Sequence, residues 1–173
     1  MKVRELMTRD VGSCSVDDGL HRAAQILWER DCGIVPVVDG ESRVIGVITD
    51  RDVCMAAYTK GAPLACLRVG DAMATRVSTC APGDEIETAL ALMRERQVRR
   101  LPVVAEGGVL LGILSIADLV RGAARAQVAS TLAAICRPHA ALEPAAPLPS
   151  AVLTPAARTE AAESRGPRSR RSR

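Results

Sequence analysis

The chain has 173 residues and a mass of 18.3 kDa, with 48% apolar and 25% charged side chains and a mean hydropathy of +0.12, the profile of one globular domain or two small ones sharing a core. No apolar run reaches the roughly 18 residues of a spanning helix, and the opening MKVRELMTRDV lacks the apolar stretch of a secretory signal, so a cytoplasmic protein with no membrane partner is expected. Residues 1–137 are neutral, with 17 basic and 17 acidic groups, so the net +3 belongs to residues 138–173; one Trp, one Tyr and no Phe leave no ring platform for single-stranded nucleic acid, which is not an expected partner outside that basic tail.

The chain matches itself without a gap when shifted by 66 residues, with thirteen identities over the 51 aligned positions from 3 to 53. Val3 falls on Val69, Met7 on Met73, Cys14 on Cys80, Glu29-Arg30 on Glu95-Arg96, Pro36-Val37-Val38 on Pro102-Val103-Val104, Gly46 on Gly112 and Asp52 on Asp118. Such self-similarity marks two copies of one structural unit. The expected organisation is unit 1 over 1–60, a linker over 61–68, unit 2 over 69–126, a short helix over 127–137 and a disordered Ala/Pro/Arg-rich tail over 138–173.

In chain order, each unit opens with a short helical turn (Val3–Met7, Val69–Met73) and a short strand near Val11–Cys14 or Val77–Cys80. Asp17 or Asp84 is expected to open a helix, since an acid suits the positive helix N-terminus. In the first such helix Leu20, Ala23, Ala24, Leu27 and Trp28 recur with helical spacing and Ile26 widens the apolar arc. Two apolar strands follow, Ile34–Val38 and Val44–Ile48, with Asp39-Gly40 as a hairpin signal and Gly107-Gly108 in that role in the second copy. The helix over 50–59 is apolar almost all round and is expected to be buried on two sides. The order is β-α-β-β-α, twice. One copy cannot bury both faces of its short strands, so an α/β (α+β) fold of two units packed about a pseudo-twofold axis is expected. After it, Val128, Leu132 and Ile135 lie on one helical face; from Pro138 the composition is too poor in large apolar residues to offset its ordering entropy.

The sharpest motif occurs in both copies: Gly46-Val-Ile-Thr49-Asp-Arg51-Asp52 and Gly112-Ile-Leu-Ser115-Ile-Ala-Asp118, running from a strand into a helix. Two readings stand side by side. A hydroxyl three residues before an acid is close to a capping box, which satisfies orphan helix N–H groups and does nothing else. The same geometry offers a helix N-terminus and hydroxyl to a phosphate and a carboxylate to a ribose diol, with the glycine letting a ligand approach the backbone. The copies differ in charge: Asp50-Arg51 stands against Ile116-Ala117, and Arg99-Arg100 against Gly33-Ile34. A guanidinium suits phosphate geometry, so converging arginines would make one cleft the site of the more highly charged ligand.

The tandem motif, together with Val35-Pro36-Val37-Val38 and Leu101-Pro102-Val103-Val104, resembles the cystathionine-β-synthase (CBS) domain, and the pair resembles a Bateman module, over about residues 1–126. The resemblance implies two clefts that bind adenine nucleotides or related adenosyl compounds. It would give Asp52 and Asp118 to ribose and Thr49 and Ser115 to phosphate. The base would lie near Val11, Val35 and Pro36 in one cleft and near Val77, Leu101 and Pro102 in the other. Arg51, Arg99 and Arg100 would meet phosphates. No cofactor is required by this reading; an adenine nucleotide is the ligand.

A non-catalytic nucleotide sensor is therefore the leading expectation, read out by a homodimer or an unidentified effector protein. No nucleophile–base pair, Walker loop or metal pair marks an enzyme. None of the six cysteines forms a CxxC, and His21 and His139 lie far apart in sequence, so no metal site is expected. The alternative is a cysteine-based redox or stress sensor, with the repeat mates Cys14 and Cys80 facing each other across the axis; against it stands the reading of both as small core residues.

Overall fold

The computed structural model describes residues 1–122 and 125–137; the tail expected to be disordered lies outside them. The elements are α1 (Val3–Leu6), β1 (Cys14–Ser15), α2 (Leu20–Glu29), β2 (Val35–Val38), β3 (Val44–Ile48), α3 (Asp50–Lys60), α4 (Ile86–Arg96), β4 (Arg100–Val104), β5 (Leu110–Ser115), α5 (Ile116–Gly122) and α6 (Arg125–Ile135), with 3₁₀ turns at Leu64–Cys66, Val69–Asp71 and Glu106–Gly108. The fold is mixed α and β, built from the two repeats.

Strands β1, β2 and β3 form one sheet, with β1 parallel to β2 and β2 antiparallel to β3; β4 and β5 form the antiparallel equivalent. In the second copy the first strand shrinks to a single parallel bridge between Cys80 and Val103. Each sheet is completed by the other repeat. Thr8 pairs with Ile113, and its counterpart Ala74 pairs with Val47, through reciprocal backbone hydrogen bonds of 2.9–3.0 Å. Arg43 bridges Val109, the residue 66 positions on, which puts this contact on the pseudo-twofold axis.

This exchange decides where the cores lie. Val3 and Met7, from the first repeat, are buried with Ile86, Leu90, Met93, Leu101 and Leu114 of the second. Leu67 and Val69 are buried with Leu20, Ile26, Val35, Val37 and Ile48 of the first. Each core therefore draws its opening segment from the other repeat, and neither can close alone.

Several local expectations are corrected. Asp17 does not open a helix, nor does Asp84: α2 starts at Leu20 behind Gly19. Asp18 and Asp84 instead accept from the backbone N–H of Ser15 (2.7 Å) and Ala81 (2.8 Å), folding the turn three residues before each of them. The first hairpin is turned by the Asp39 carboxylate, which accepts from the N–H of Glu41 and Arg43, and Ser42, not Gly40, takes positive φ. Trp28 points outward and is 87% exposed. Helix α3 buries only Val53 and Ala56; Cys54, Met55 and Tyr58 are exposed, so one side of this helix is covered, not two. The helix expected over 127–137 is α6, which runs over Arg125–Ile135, beginning and ending two residues earlier.

Candidate functional site

Both copies of the strand-to-helix motif form capping boxes. Thr49 Oγ1 accepts from the Asp52 N–H at 3.3 Å, and Asp52 Oδ2 accepts from the Thr49 N–H at 2.9 Å and from the Thr49 hydroxyl at 2.7 Å. Ser115 and Asp118 repeat the pattern. The two acids then diverge. Asp52 is half-buried, and among the described residues its Oδ1 accepts no hydrogen bond. Asp118 is only 4% exposed, and its Oδ1 accepts from the Thr8 hydroxyl of the other repeat at 3.4 Å and from the Arg121 guanidinium.

The motif's glycines serve packing. A Cβ on Gly46 would lie 2.6 Å from Met73 Sδ and 3.1 Å from the Ala74 carbonyl oxygen; one on Gly112 would lie 2.4 Å from the Thr8 carbonyl oxygen. What approaches the backbone there is the exchanged segment of the other repeat, which corrects the expectation of a ligand at that place.

A cleft of about 970 Å³ opens between the repeats. Thr49 and Arg51 stand on its first-repeat side, with Gly33 and Ile34; Arg76, Val77, Ser78 and Thr79 and the run Arg96 to Arg100 with Pro102 form the other. Five arginines (51, 76, 96, 99, 100) and no acid line it. Among the described residues, only Arg96 of the five has a salt bridge, to Glu95 at 3.4 Å. Arg100 reaches across to the first repeat: a Cβ on Gly33 would lie 2.9 Å from its Nη2. The apolar part of the wall comes from Ile34, Val47, Val77, Leu92, Val98 and Pro102.

The twofold image of this cleft is a cavity of about 280 Å³ lined by Thr8, Asp10, Val11, Gly12, Arg30, Cys32, Ile34 and Ile113. The repeat mates of the larger cleft's residues differ in charge: Ala117 stands for Arg51, Asp10 for Arg76, and Gly33 and Ile34 for Arg99 and Arg100. The one arginine left, Arg30, is held by Asp10 at 3.2 Å. Its volume falls below the several hundred Å³ usual for a small-molecule site.

The structure thus gathers Thr49, Arg51, Val77, Arg99, Arg100 and Pro102 around one cleft and sets Val11 in the other. Asp52 stands beside the larger cleft, one hydrogen bond behind Thr49. Val35 and Leu101 face the two cores at 0% exposure, Pro36 is buried, and Ser115 and Asp118 are occupied with each other, Thr8 and Arg121. Sequence reading missed Arg76 and Arg96. Arg76 could have been found by the same comparison that exposed Arg99 and Arg100, since Asp10 is its repeat mate; Arg96 matches Arg30 and carries no such contrast.

Cys14 and Cys80 do not face each other. They lie in separate cores, where burial pushes the Cys14 thiol up to about 11 and the Cys80 thiol up to about 12. Among the described residues no three His, Cys, Asp or Glu side chains gather as a metal site, and no helix is long and apolar enough to cross a membrane.

No curated protein sequence matches the chain. Among solved structures, Hypoxic Response Protein I with two coordinated zinc ions is similar at 29% identity and a TM-score of 0.65, over 72% of this chain and 100% of that one. A CBS-domain-containing protein of Agrobacterium tumefaciens is similar at 31% identity and a TM-score of 0.61, over 70% and 98%. CBSX2 in complex with AMP is similar at 28% identity and a TM-score of 0.61, over 69% and 93%. The model of the CBS domain matches twice, over residues 3–58 and 69–125, the two repeats that interlock here, and the chain belongs to the CBS domain family.

Proposed function

We propose that the chain is a non-catalytic regulatory module that binds an adenine nucleotide in the larger cleft, phosphates toward the arginines and ribose toward Asp52. The observation that carries this reading is the convergence of five arginines, with no acid among the lining residues, on one cleft between the repeats. Mutual repulsion among such groups is relieved by a polyanion, and guanidinium forks match phosphate oxygens. Thr49 lines the cleft at the N-terminus of the eleven-residue α3, where the helix dipole favours an anion, while its hydroxyl proton is donated to Asp52 Oδ2. The aliphatic wall suits a base that is held without aromatic stacking. The AMP complex of CBSX2 supports the ligand class. The crowded surroundings of Asp118 and the small second cavity favour one nucleotide per chain.

A ligand bridging the two repeats alters their packing only by as much as it prefers one arrangement over another. In this reading that change passes to an effector protein, with the chain assembled as a homodimer. The test is a thermal-shift panel of AMP, ADP, ATP, NAD and S-adenosylmethionine on wild type, Asp52→Ala and Asp118→Ala. A specific ligand raises Tm by mass action. The shift should be largest for a polyphosphate, be lost in Asp52→Ala and survive in Asp118→Ala; no shift with any adenosyl compound would remove the nucleotide reading.

A further inference from the structure

Three acids, Asp50, Asp52 and Glu95, stand next in sequence to residues lining the larger cleft, and each is turned to another task. Asp50 lines a separate groove with Ala24 and Trp28. Glu95 pairs with Arg96 at 3.4 Å. Asp52 Oδ2 accepts from both the N–H and the hydroxyl of Thr49, and its other oxygen is the one assigned to ribose. The lining itself offers five guanidinium groups and the hydroxyls of Thr49, Ser78 and Thr79, with no carboxylate among them.

We infer that the cleft takes its polyphosphate as the free anion and binds the magnesium complex of the same nucleotide far more weakly. This rests on the nucleotide reading above and names the species that site selects. Magnesium demands an octahedral shell of oxygens, and proteins that take a nucleotide together with its magnesium add carboxylate or hydroxyl ligands to the phosphates and waters. Here the Thr49 hydroxyl already donates to Asp52 Oδ2 at 2.7 Å and accepts from the Asp52 N–H at 3.3 Å. Ser78 and Thr79 bring neutral hydroxyls with no carboxylate beside them in the lining. Charge acts in the same direction. The metal covers phosphate oxygens that the guanidinium forks would otherwise bind, and it sets a hydrated dication among five like charges. Every oxygen given to magnesium is one withdrawn from an arginine. Magnesium therefore empties the cleft by mass action, holding the ligand in solution without touching the protein. The site then follows the uncomplexed nucleotide and not the total. The smaller cavity supplies an internal comparison: Asp10, the repeat mate of Arg76, lines it and holds Arg30 at 3.2 Å, so the repeat's fold accepts an acid at this position.

The test is a calorimetric titration of the full chain with ATP, once in buffer with a metal chelator and once with magnesium chloride in excess over nucleotide, the ionic strength matched with sodium chloride so that screening is equal. AMP, which holds magnesium weakly, is titrated in both buffers as the control. The apparent ATP affinity should fall by about tenfold or more in magnesium, and that of AMP should change by less than about twofold. Arg76→Asp places a carboxylate in the lining at an exposed position. It should weaken binding of free ATP and shrink the magnesium penalty to about threefold or less. ATP binding equal or tighter in magnesium would overturn the selection of the free anion and leave the nucleotide reading standing. A full penalty retained in Arg76→Asp would overturn the arginine lining as its cause. No binding of either nucleotide in either buffer would overturn the nucleotide reading and this inference with it.

Discussion

Thr49 and Asp52, and again Ser115 and Asp118, satisfy the first turn of a helix with their own side chains, and that local task is complete without any ligand. What separates the two acids is their second oxygen: that of Asp118 is taken by Thr8 and Arg121, that of Asp52 is not taken among the described residues. The same scale settles the cysteines. A thiolate is disfavoured where Cys14 and Cys80 lie, so their ionisation belongs to the unfolded chain first. Their folded values, about 11 and about 12, stand above the ordinary 9.0. The stability this gives is whole below pH 9 and is lost as pH rises toward those values. Urea midpoints should fall over that window, and at pH 8 a thiol reagent should modify the exposed Cys54, Cys66 and Cys136 long before Cys14 and Cys80. Rapid modification of all six in the native protein would contradict the burial of these two.

At the scale of elements, the sequence made the repeat, the β-α-β-β-α order and α6 legible, because helical spacing and the strand–turn–strand pattern are local properties. It hid the exchange of opening segments. Gly46 and Gly112 read equally well as room for a ligand or room for a backbone, and only the long-range pairing of Ala74 with Val47 and of Thr8 with Ile113 chooses. Trp28 shows a second limit: its spacing places it near the apolar arc of α2, but nothing local says whether this chain covers that edge. The larger cleft was half legible, since Arg51, Arg99 and Arg100 break the repeat's symmetry, whereas Val35 and Leu101 alternate into the cores by strand geometry. Helix α6 gives the test at this scale. Ile135 is 8% exposed in the second core, and Ile135→Ala should lower the unfolding free energy by about 2–4 kcal/mol in urea titration. A loss of a few tenths would mean that α6 lies loosely on α4 and α5.

For the molecule as a whole, the two repeats place two clefts at equivalent positions, and the residues that differ between the copies make them unequal. One repeat's motif carries Arg51 where the other has Ala117; Arg76, Arg99 and Arg100 face the same space, and their mates Asp10, Gly33 and Ile34 leave the second cavity small and neutralised. The central claim is that this inequality makes one cleft a polyphosphate site. Arg100 is the residue to remove, because it spans from the second repeat to Gly33 of the first and begins β4 without closing a core. The direct measurement is a calorimetric titration of ATP into wild type and Arg100→Ala at low and high salt. One site per chain is expected, with affinity that falls as salt rises and falls a further ten- to hundredfold, about 1.5–3 kcal/mol, in Arg100→Ala. Two equal sites per chain, or binding of ATP indifferent to both salt and Arg100, would contradict it.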